Sequence, residues 1–576
     1  MTGGELVARV LAGRGVPFLF TLCGGHISPI LVESKRLGVR VIDVRHEANA
    51  VFAADAVARL TGVPGVAAVT AGPGATNTIT AIKNAQMAQS PLVLLGGATA
   101  TILKDRGSLQ DIDQLALMEP HVKWAKAVRR VRDIVPALDH AFDVAARGVP
   151  GPVFVELPVD LLYDASTVRQ WYDAGSGGGR SWRARAEKAY LNWHTSRLFK
   201  GVEAPGVPQT SNPPIDEVPG RQVARAAGDL ARSRRPVLVV GSQATLEASE
   251  AGAIAGAIEA LGVPVYLSGM ARGLLGREHP LHLRHQRRMA LREADLVLLA
   301  GVPNDFRMDY GRHVRRSARL LSVNRSAVDL VKNRRPDRAL LGDPGRFLTA
   351  LAARKAHAGE GTQDWLAELR RRDGEREEDI DTRAKAEMEG INPLDLFRRF
   401  ESFLEEDSVL VADGGDFVAT ASYTLRPRSP LSWLDPGVFG TLGVGGGFAL
   451  GAALCRPEAE VWILYGDGSA AYSLAEFDTY VRHGLPVCAL VGNDGSWAQI
   501  ARDQIDILGD DVGTVLRQSD YHTVAEGYGG RGLLLERPEA IEATLHEART
   551  VRRSGLPVLV NALLGASDFR KGSLSM

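Results

Sequence analysis

Val461-Trp462-Ile463-Leu464-Tyr465-Gly466-Asp467-Gly468-Ser469 is an apolar strand that stops on glycines and a carboxylate. A helical stretch follows. Then comes Leu485-Pro486-Val487-Cys488-Ala489-Leu490-Val491-Gly492-Asn493-Asp494, a second apolar strand that finishes on Asn493 and Asp494. Two strands joined through a helix predict parallel neighbours. Both acidic side chains then sit at the carboxyl ends, where open α/β sheets bind ligands. Gly466, Gly468 and Ser469 make the turn, and the amides of Gly468 and Ser469 open a helix, an arrangement that suits an anion. Mg²⁺ takes one or two carboxylates and completes its shell with phosphate oxygens. Asp467 and Asp494 supply the carboxylates here, and a diphosphate would supply the rest. A lone Gly-Asp-Gly also marks ordinary strand–turn–helix junctions. The paired strand ends, with Pro486 opening the second strand and Asn493-Asp494 closing it, make the anchor reading specific.

The same alternation runs outward in both directions. Residues 1–165 contain the strand signals Pro17–Leu22, Val41–Val44, Val66–Thr70, Pro91–Leu95 and Pro152–Pro158, each closed by glycine, proline or a polar residue. A Gly/Ser run at 175–179 breaks the composition. In the stretch 166–218, Trp182, Ala186, Ala189, Tyr190 and Trp193 recur at helical spacing. This predicts a helix packed on its own protein, the alternative being a partner or membrane face; Pro205–Pro214 reads as linker. A second α/β unit spans 219–353, with strands from Pro236, Val263 and Ala294. A charged stretch follows in 354–390, read as a solvated helix or linker, and a third α/β unit spans 391–576. Strands alternating with helices argue three doubly wound parallel sheets, an α/β fold.

Composition excludes some classes. Lys+Arg and Asp+Glu are balanced at 68 each, so no basic excess points to nucleic acid or an anionic membrane. Hydrophobic content of 45% and charged content of 24% are those of a globular protein. Cys23, Cys455 and Cys488 lack metal or disulfide spacing and stand in apolar runs. They read as buried small residues in a reducing compartment. No basic–apolar leader opens the chain and no apolar run reaches membrane-spanning length, so a cytoplasmic location is expected.

A diphosphate–Mg²⁺ anchor of this form fits thiamin diphosphate, whose chemistry also needs a carboxylate on the aminopyrimidine to relay a proton. Glu47, in Arg45-His46-Glu47-Ala48-Asn49-Ala50, follows a strand and opens a small-residue helix. It could simply complement the helix dipole. Beside the anchor, the catalytic role is the better reading, since burial against a cofactor would raise its pKa as proton sharing requires.

The chain resembles the acetolactate synthase superfamily of thiamin diphosphate enzymes over nearly its whole length. Arg45-His46-Glu47-Ala48, Ala71-Gly72-Pro73-Gly74-Ala75-Thr76-Asn77 and Gly440-Thr441-Leu442-Gly443 carry the resemblance in the family's order. More narrowly, four segments are similar to the acetolactate synthase-like 2-hydroxyacyl-CoA lyases: Cys23–Pro29, Lys83–Pro91, Trp433–Gly437 and 568–573. The resemblance implies pyrimidine-binding, central and pyrophosphate-binding domains at 1–165, 219–353 and 391–576. It also implies a homodimer or homotetramer, with Glu47 from one chain meeting the Gly-Asp-Gly anchor of its partner. It places Mg²⁺ on Asp467, Asp494 and the carbonyl of Ser496, Asp494 standing where Asn is commoner. Leu442 falls where an apolar side chain bends the cofactor. Gly415, Asp416 and Phe417 fall on the loop that meets the diphosphate, and Asn493 borders it. Gln110 and Gln499 fall where side chains approach substrate, or merely line the wall.

Departures narrow the reaction. Acetolactate synthases carry a Gly-x-Arg-Phe-Asp-Asp-Arg segment whose first Arg faces the second keto acid; here it reads Gly301-Val302-Pro303-Asn304-Asp305-Phe306-Arg307. Only the last Arg survives, which argues against pyruvate condensation and against FAD. Related decarboxylases place Asp or Ser at the position of Gly25, so neither of their mechanisms transfers. His26, next door, could handle a hydroxyl proton or be a structural histidine bonded to backbone. Arg284, Arg287, Arg288 and Arg292 could grip phosphates of an ADP or coenzyme A moiety in the central domain, or form an exposed helix face. The expected activity is cleavage of a 2-hydroxyacyl-CoA thioester to formyl-CoA and an aldehyde. Acetolactate synthesis from a 2-keto acid and a catalytically silent scaffold are the alternatives.

Overall fold

The computed structural model describes residues 2–175, 181–201, 215–355 and 357–571. The glycine/serine run at 175–179 falls almost wholly outside the described residues, and so do the Pro205–Pro214 linker and the end of the 568–573 segment. The chain divides into two compact units, Met1–Ala58 with Val63–Pro214, and Arg59–Gly62 with Ile215–Met576.

The first unit holds one sheet of β1 (Phe18–Thr21), β2 (Arg40–Asp43), β3 (Gly65–Val69), β4 (Leu92–Ala98), β5 (Trp124–Ala127) and β6 (Pro152–Pro158). Its order is β2-β1-β3-β4-β6-β5. The second unit holds two sheets. One contains β7 (Pro236–Val240), β8 (Val265–Leu267), β9 (His282–Leu283), β10 (Leu296–Ala300), β11 (Arg319–Asn324) and β12 (Arg338–Leu341). The other contains β13 (Val409–Ala412), β14 (Trp433–Leu434), β15 (Val461–Gly466), β16 (Cys488–Asn493), β17 (Arg531–Leu535) and β18 (Val558–Leu563). Their orders are β12-β11-β10-β7-β8-β9 and β14-β13-β15-β16-β18-β17. Among the described residues each of the three sheets has six strands, and every pairing between these strands is parallel. Helices on both faces bury the inner strands outright: β3, β4, β6, β7, β10, β15 and β16 have no exposed residue. That is why they read as unbroken apolar runs rather than alternating ones.

Strand order fixes where ligands can sit. The chain leaves β13 for β14 on one side and returns to β15 on the other, so the carboxyl ends of β13 and β15 part at a topological switch point. β1 and β3 stand in the same relation in the first unit, and β7 and β10 in the central sheet. The central crevice is filled by its own chain. A Cβ on Gly241 would lie 2.5 Å from the Gly301 carbonyl oxygen. The buried Gln243 spans it, donating to Asn324 Oδ1 (3.0 Å) and accepting from the Arg325 amide (2.6 Å).

One expectation is sharpened and one changes. The charged stretch is the helix Thr362–Ala384. Trp365, Leu366 and Leu369 sink into the central-sheet cores, and Ile380 and Ala384 pack with Leu394 and Phe569. Only its remaining faces are charged. The aromatic helix Trp182–Leu198 forms as spaced, but its stripe faces outward in this chain: Trp182, Tyr190 and Trp193 are 75%, 50% and 56% exposed. Thr195 and Leu198 are its buried residues, because the helix is polar on almost every side.

Candidate active site

In the second unit a cavity of about 670 Å³ opens at the β13/β15 switch point. Gly414, Gly415, Asp416, Leu442, Gly466, Asp467, Gly468, Ser469, Asp494, Ser496 and Gln499 all line it, so the sequence-expected anchor is assembled in one place. Asp467 is buried. Its Oδ1 accepts the Gly468 amide at 2.7 Å, and its Oδ2 has no partner. The Gly468 amide expected to face an anion is thus engaged by the side chain beside it. The helix it opens, Asp467–Ala470, is a single turn. Asp494 Oδ1 accepts the Ser496 amide at 3.2 Å. Burial raises the Asp467 carboxyl above its usual range. Burial, and then the charge of Asp467, pushes the Asp494 carboxyl up to about 7. The buried Asn493 donates to Ser519 O (3.0 Å) and Asn561 Oδ1 (3.1 Å), while its own Oδ1 is left without a partner.

The flanking loops are held firmly. A Cβ on Gly468 would meet the Trp497 ring at 2.5 Å, so only glycine lets that indole lie against the turn. The Asp416 carboxylate is paired with Arg502, whose Nη1 also donates to Ser567 O at 3.2 Å. Phe417 turns its ring away from the loop and into the core, 4.4 Å from Phe397 between centroids and against Gly492. Phe417 still borders the cavity beside Gly415 and Asp416, as the loop reading expects, while most of its ring serves the core. Leu442 lies over Gly414, where a Cβ would fall 2.2 Å from Leu442 Cδ2. Asp413 fixes the turn behind it, accepting the amides of Gly443 (2.8 Å) and Gly445 (2.7 Å) at the start of the helix Val444–Cys455. Burial pushes the Asp413 carboxyl up to about 7, against those two hydrogen bonds.

In the first unit, Glu47 is buried and opens the helix Glu47–Thr61. Asn77 Nδ2 donates to its Oε2 at 3.0 Å, and its Oε1 faces Gly74, 3.7 Å from where a Cβ would be. Gln110 borders the same turn in a left-handed conformation (φ 65°), its Cβ 2.9 Å from where a Cβ on Gly72 would lie. The buried Gln114 ties the strand ends together. It accepts the Gly72 amide (3.3 Å) and donates to Gly97 O (3.0 Å) and Glu156 Oε2 (3.0 Å). His26 Nδ1 lies 3.1 Å from Thr70 Oγ1, so its partner is a side chain and not the expected backbone. Burial lowers its pKa from the usual imidazole range.

The arginine cluster separates. Arg284 is spent on Glu377 (2.9 Å) and on the Leu425 and Tyr423 carbonyls, and Arg288 and Arg292 are exposed. Of the four, only Arg287 lines the cavity. Cys488 is buried, Cys455 half-buried and Cys23 exposed, so the reading of all three as buried fails at Cys23, which lies just beyond the end of β1. Asp413, Asn77, Gln114, Trp497, Arg502 and Arg272 were not singled out from sequence. Asp413 had a visible signal, an apolar run at 409–412 ending in Asp-Gly-Gly. Arg272 and Arg502 had none.

The donors fit Mg²⁺ and a diphosphate. An unpartnered buried carboxylate oxygen stands beside a second carboxylate that is hard to ionise without a counter-charge, and a divalent cation reverses that logic. Among the described residues no three His, Cys, Asp or Glu side chains could hold a metal by themselves, so cofactor and backbone oxygens would complete the shell.

The sequence matches the thiamine pyrophosphate enzyme N-terminal TPP binding domain over residues 1–117, the central domain over 223–351 and the C-terminal TPP binding domain over 413–562. The chain belongs to the thiamine pyrophosphate enzyme family, and thiamin diphosphate is its cofactor. It is 51% identical over 593 residues to 2-hydroxyacyl-CoA lyase 2 of Homo sapiens, covering 100% of this chain and 92% of that protein. The lyase of the same name from Danio rerio is 50% identical over 582 residues, with coverage of 100% and 93%. A probable acetolactate synthase of Mycobacterium bovis is 34% identical over 573 residues, with coverage of 98% and 96%.

Proposed function

We propose that the protein is a thiamin diphosphate- and Mg²⁺-dependent lyase that cleaves a 2-hydroxyacyl-CoA into formyl-CoA and an aldehyde one carbon shorter. The observation that carries this reading is identity of about one half, over the whole chain, with proteins named 2-hydroxyacyl-CoA lyase 2. The site supports it. Arg307, the one arginine kept from the acetolactate synthase segment, is held by Asp305 through two contacts of 3.0 and 2.7 Å, and Val302 is buried and uncharged. A second keto acid has no free carboxylate partner on that segment.

When bound, thiamin diphosphate would supply a nucleophilic carbanion and the electron sink that cleavage of the C–C bond next to the thioester carbonyl requires. Asp467, Asp494 and the Ser496 carbonyl would hold Mg²⁺, and Ser469 and Gly415 would border the diphosphate. Leu442, propped over Gly414, would support the bound cofactor from that side. Glu47, oriented by Asn77, would share a proton with the aminopyrimidine. The C2 hydroxyl proton leaves as the aldehyde carbonyl forms, and one proton returns to the formyl carbon. In this reading His26 would accept the first, and Gln110 and Gln499 would donate hydrogen bonds to the thioester oxygen. The working form is a homodimer or homotetramer in which one subunit's Glu47 serves its partner's anchor. The three cysteines, none in a disulfide, suit a cytoplasmic location, which cell fractionation tests.

The deciding experiment supplies purified holoenzyme with 2-hydroxyacyl-CoA substrates of short and long chain, and separately with pyruvate. Release of formyl-CoA and aldehyde is expected to exceed acetolactate formation. Acetolactate synthesis without thioester cleavage would replace this reading with the synthase one. Failure to bind thiamin diphosphate would favour a silent scaffold.

A further inference from the structure

The cavity has a cationic wall that the anchor chemistry leaves unexplained. Arg272 and Arg287, from the central-sheet portion of the chain, line it together with Gly466–Ser469. Both are half-buried. Arg272 donates to Ser422 O at 2.9 Å and lies 5.3 Å from the Trp433 ring centroid. Arg287 donates to Arg307 O at 3.0 Å. Among the described residues neither guanidinium has a carboxylate in ion-pair contact, whereas Arg284 and Arg307 are each matched to one. Burial, and then the charges of Arg272 and Arg307, lower the pKa of Arg287. The Asp435 carboxylate lines the same cavity and its charge acts on Arg272, but its oxygens accept from Trp433 Nε1 (2.8 Å) and the Gly437 amide (2.9 Å). Two like charges kept close, half out of water and without an ion pair, are costly unless a further anion joins them.

Beside them stands an aromatic ring that the core does not use. Phe306 lines the cavity and is 55% exposed. The segment bearing it, Phe306–Gly311, is fixed by two successive left-handed residues, Asp309 (φ 48°) and Tyr310 (φ 53°). Such strain persists only where the surroundings impose it. Paired arginines match phosphate better than a single carboxylate, and an exposed ring offers a face for a purine.

We propose that Arg272, Arg287 and Phe306 form the subsite for the nucleotide end of a coenzyme A thioester, with phosphate on the two guanidiniums and adenine on the Phe306 ring. This rests on the lyase reading. The cofactor's own diphosphate is the competing source of phosphate.

The test titrates adenosine 3′,5′-bisphosphate into the thiamin diphosphate- and Mg²⁺-loaded enzyme by calorimetry, for wild type, Arg287→Gln and Phe306→Ala. Saturable binding by wild type is expected. Loss of one charged hydrogen-bonding partner weakens it about 10–100-fold in Arg287→Gln, and Phe306→Ala, a surface change that spares the fold, weakens it as well. KM for the coenzyme A thioester should rise in both variants by more than KM for the matching pantetheine thioester. Thiamin diphosphate affinity should stay at the wild-type value. No saturable binding by wild type, equal affinity in all three proteins, or a loss confined to thiamin diphosphate or pyruvate would overturn the subsite. Bisphosphate binding lost in the variants, without thioester cleavage by wild type, keeps the subsite and removes the lyase reading. Cleavage without bisphosphate binding does the reverse.

Discussion

Asn77 Nδ2 donates to Glu47 Oε2 over 3.0 Å, which fixes one carboxylate oxygen and leaves the other facing Gly74. A buried carboxylate with one tethered oxygen is oriented to share a proton through the second. Glu47→Gln keeps the tether and the shape but cannot ionise. It should bind thiamin diphosphate normally and lose about 10²–10⁴ in turnover. Near-wild-type kcat in the variant takes Glu47 out of the chemistry.

Asp467 offers a buried oxygen with no protein partner. Asp467→Ala should abolish the Mg²⁺ dependence of thiamin diphosphate binding while the circular dichroism spectrum stays native. A cofactor titration with and without Mg²⁺ reads this directly, and an unchanged Mg²⁺ effect removes the metal assignment.

If partner subunits share their sites, inactive Glu47→Gln and inactive Asp467→Ala protein should regain activity when mixed under subunit exchange. About a quarter of wild-type activity per site is the statistical ceiling for random C₂ dimers. Heterodimers that form, as native mass spectrometry would show, yet stay inactive place both groups in one chain.

Glu377 gathers Arg284 (2.9 Å), His285 (2.9 Å) and Arg398 (2.7 Å). Burial works to raise its pKa, but the His285 hydrogen bond and the Arg284 and Arg398 contacts override that and hold it well below its free value of 4.5. A depressed carboxylate contributes stability above its unfolded pKa and loses it as the pH falls towards the folded one. Glu377→Gln should therefore cost about 3 kcal/mol at pH 7. Its melting temperature should approach that of wild type as the pH drops below 4.5. A gap independent of pH contradicts the ion-pair account.

The inner strands and the anchor were legible because their patterns are local. An apolar run closed by Gly-Asp-Gly states both its burial and its turn. Short edge strands such as β9 and β14, two residues each, carry too little pattern to show. The Arg502–Asp416 pair joins residues 86 positions apart, so no spacing could announce it. The aromatic stripe of 182–193 misled because helical periodicity predicts a shared face and says nothing of what covers it. In the 354–390 stretch the solvated-helix alternative holds over most of 370–384, and what the charge hid is the few apolar residues that decide where the helix lies.

The helix Thr362–Ala384 lies between the segments that match the family's central and C-terminal domains. It is rooted at one end in the central cores through Trp365, Leu366 and Leu369, and at the other against Leu394 and Phe569. The two domains are therefore not interchangeable modules. A fragment cut at either side of the helix bares an apolar patch, and a chimera joined inside it mismatches one seam. Variation along this stretch is free on its charged faces and constrained at both roots, so the central and C-terminal portions should be inherited as one piece.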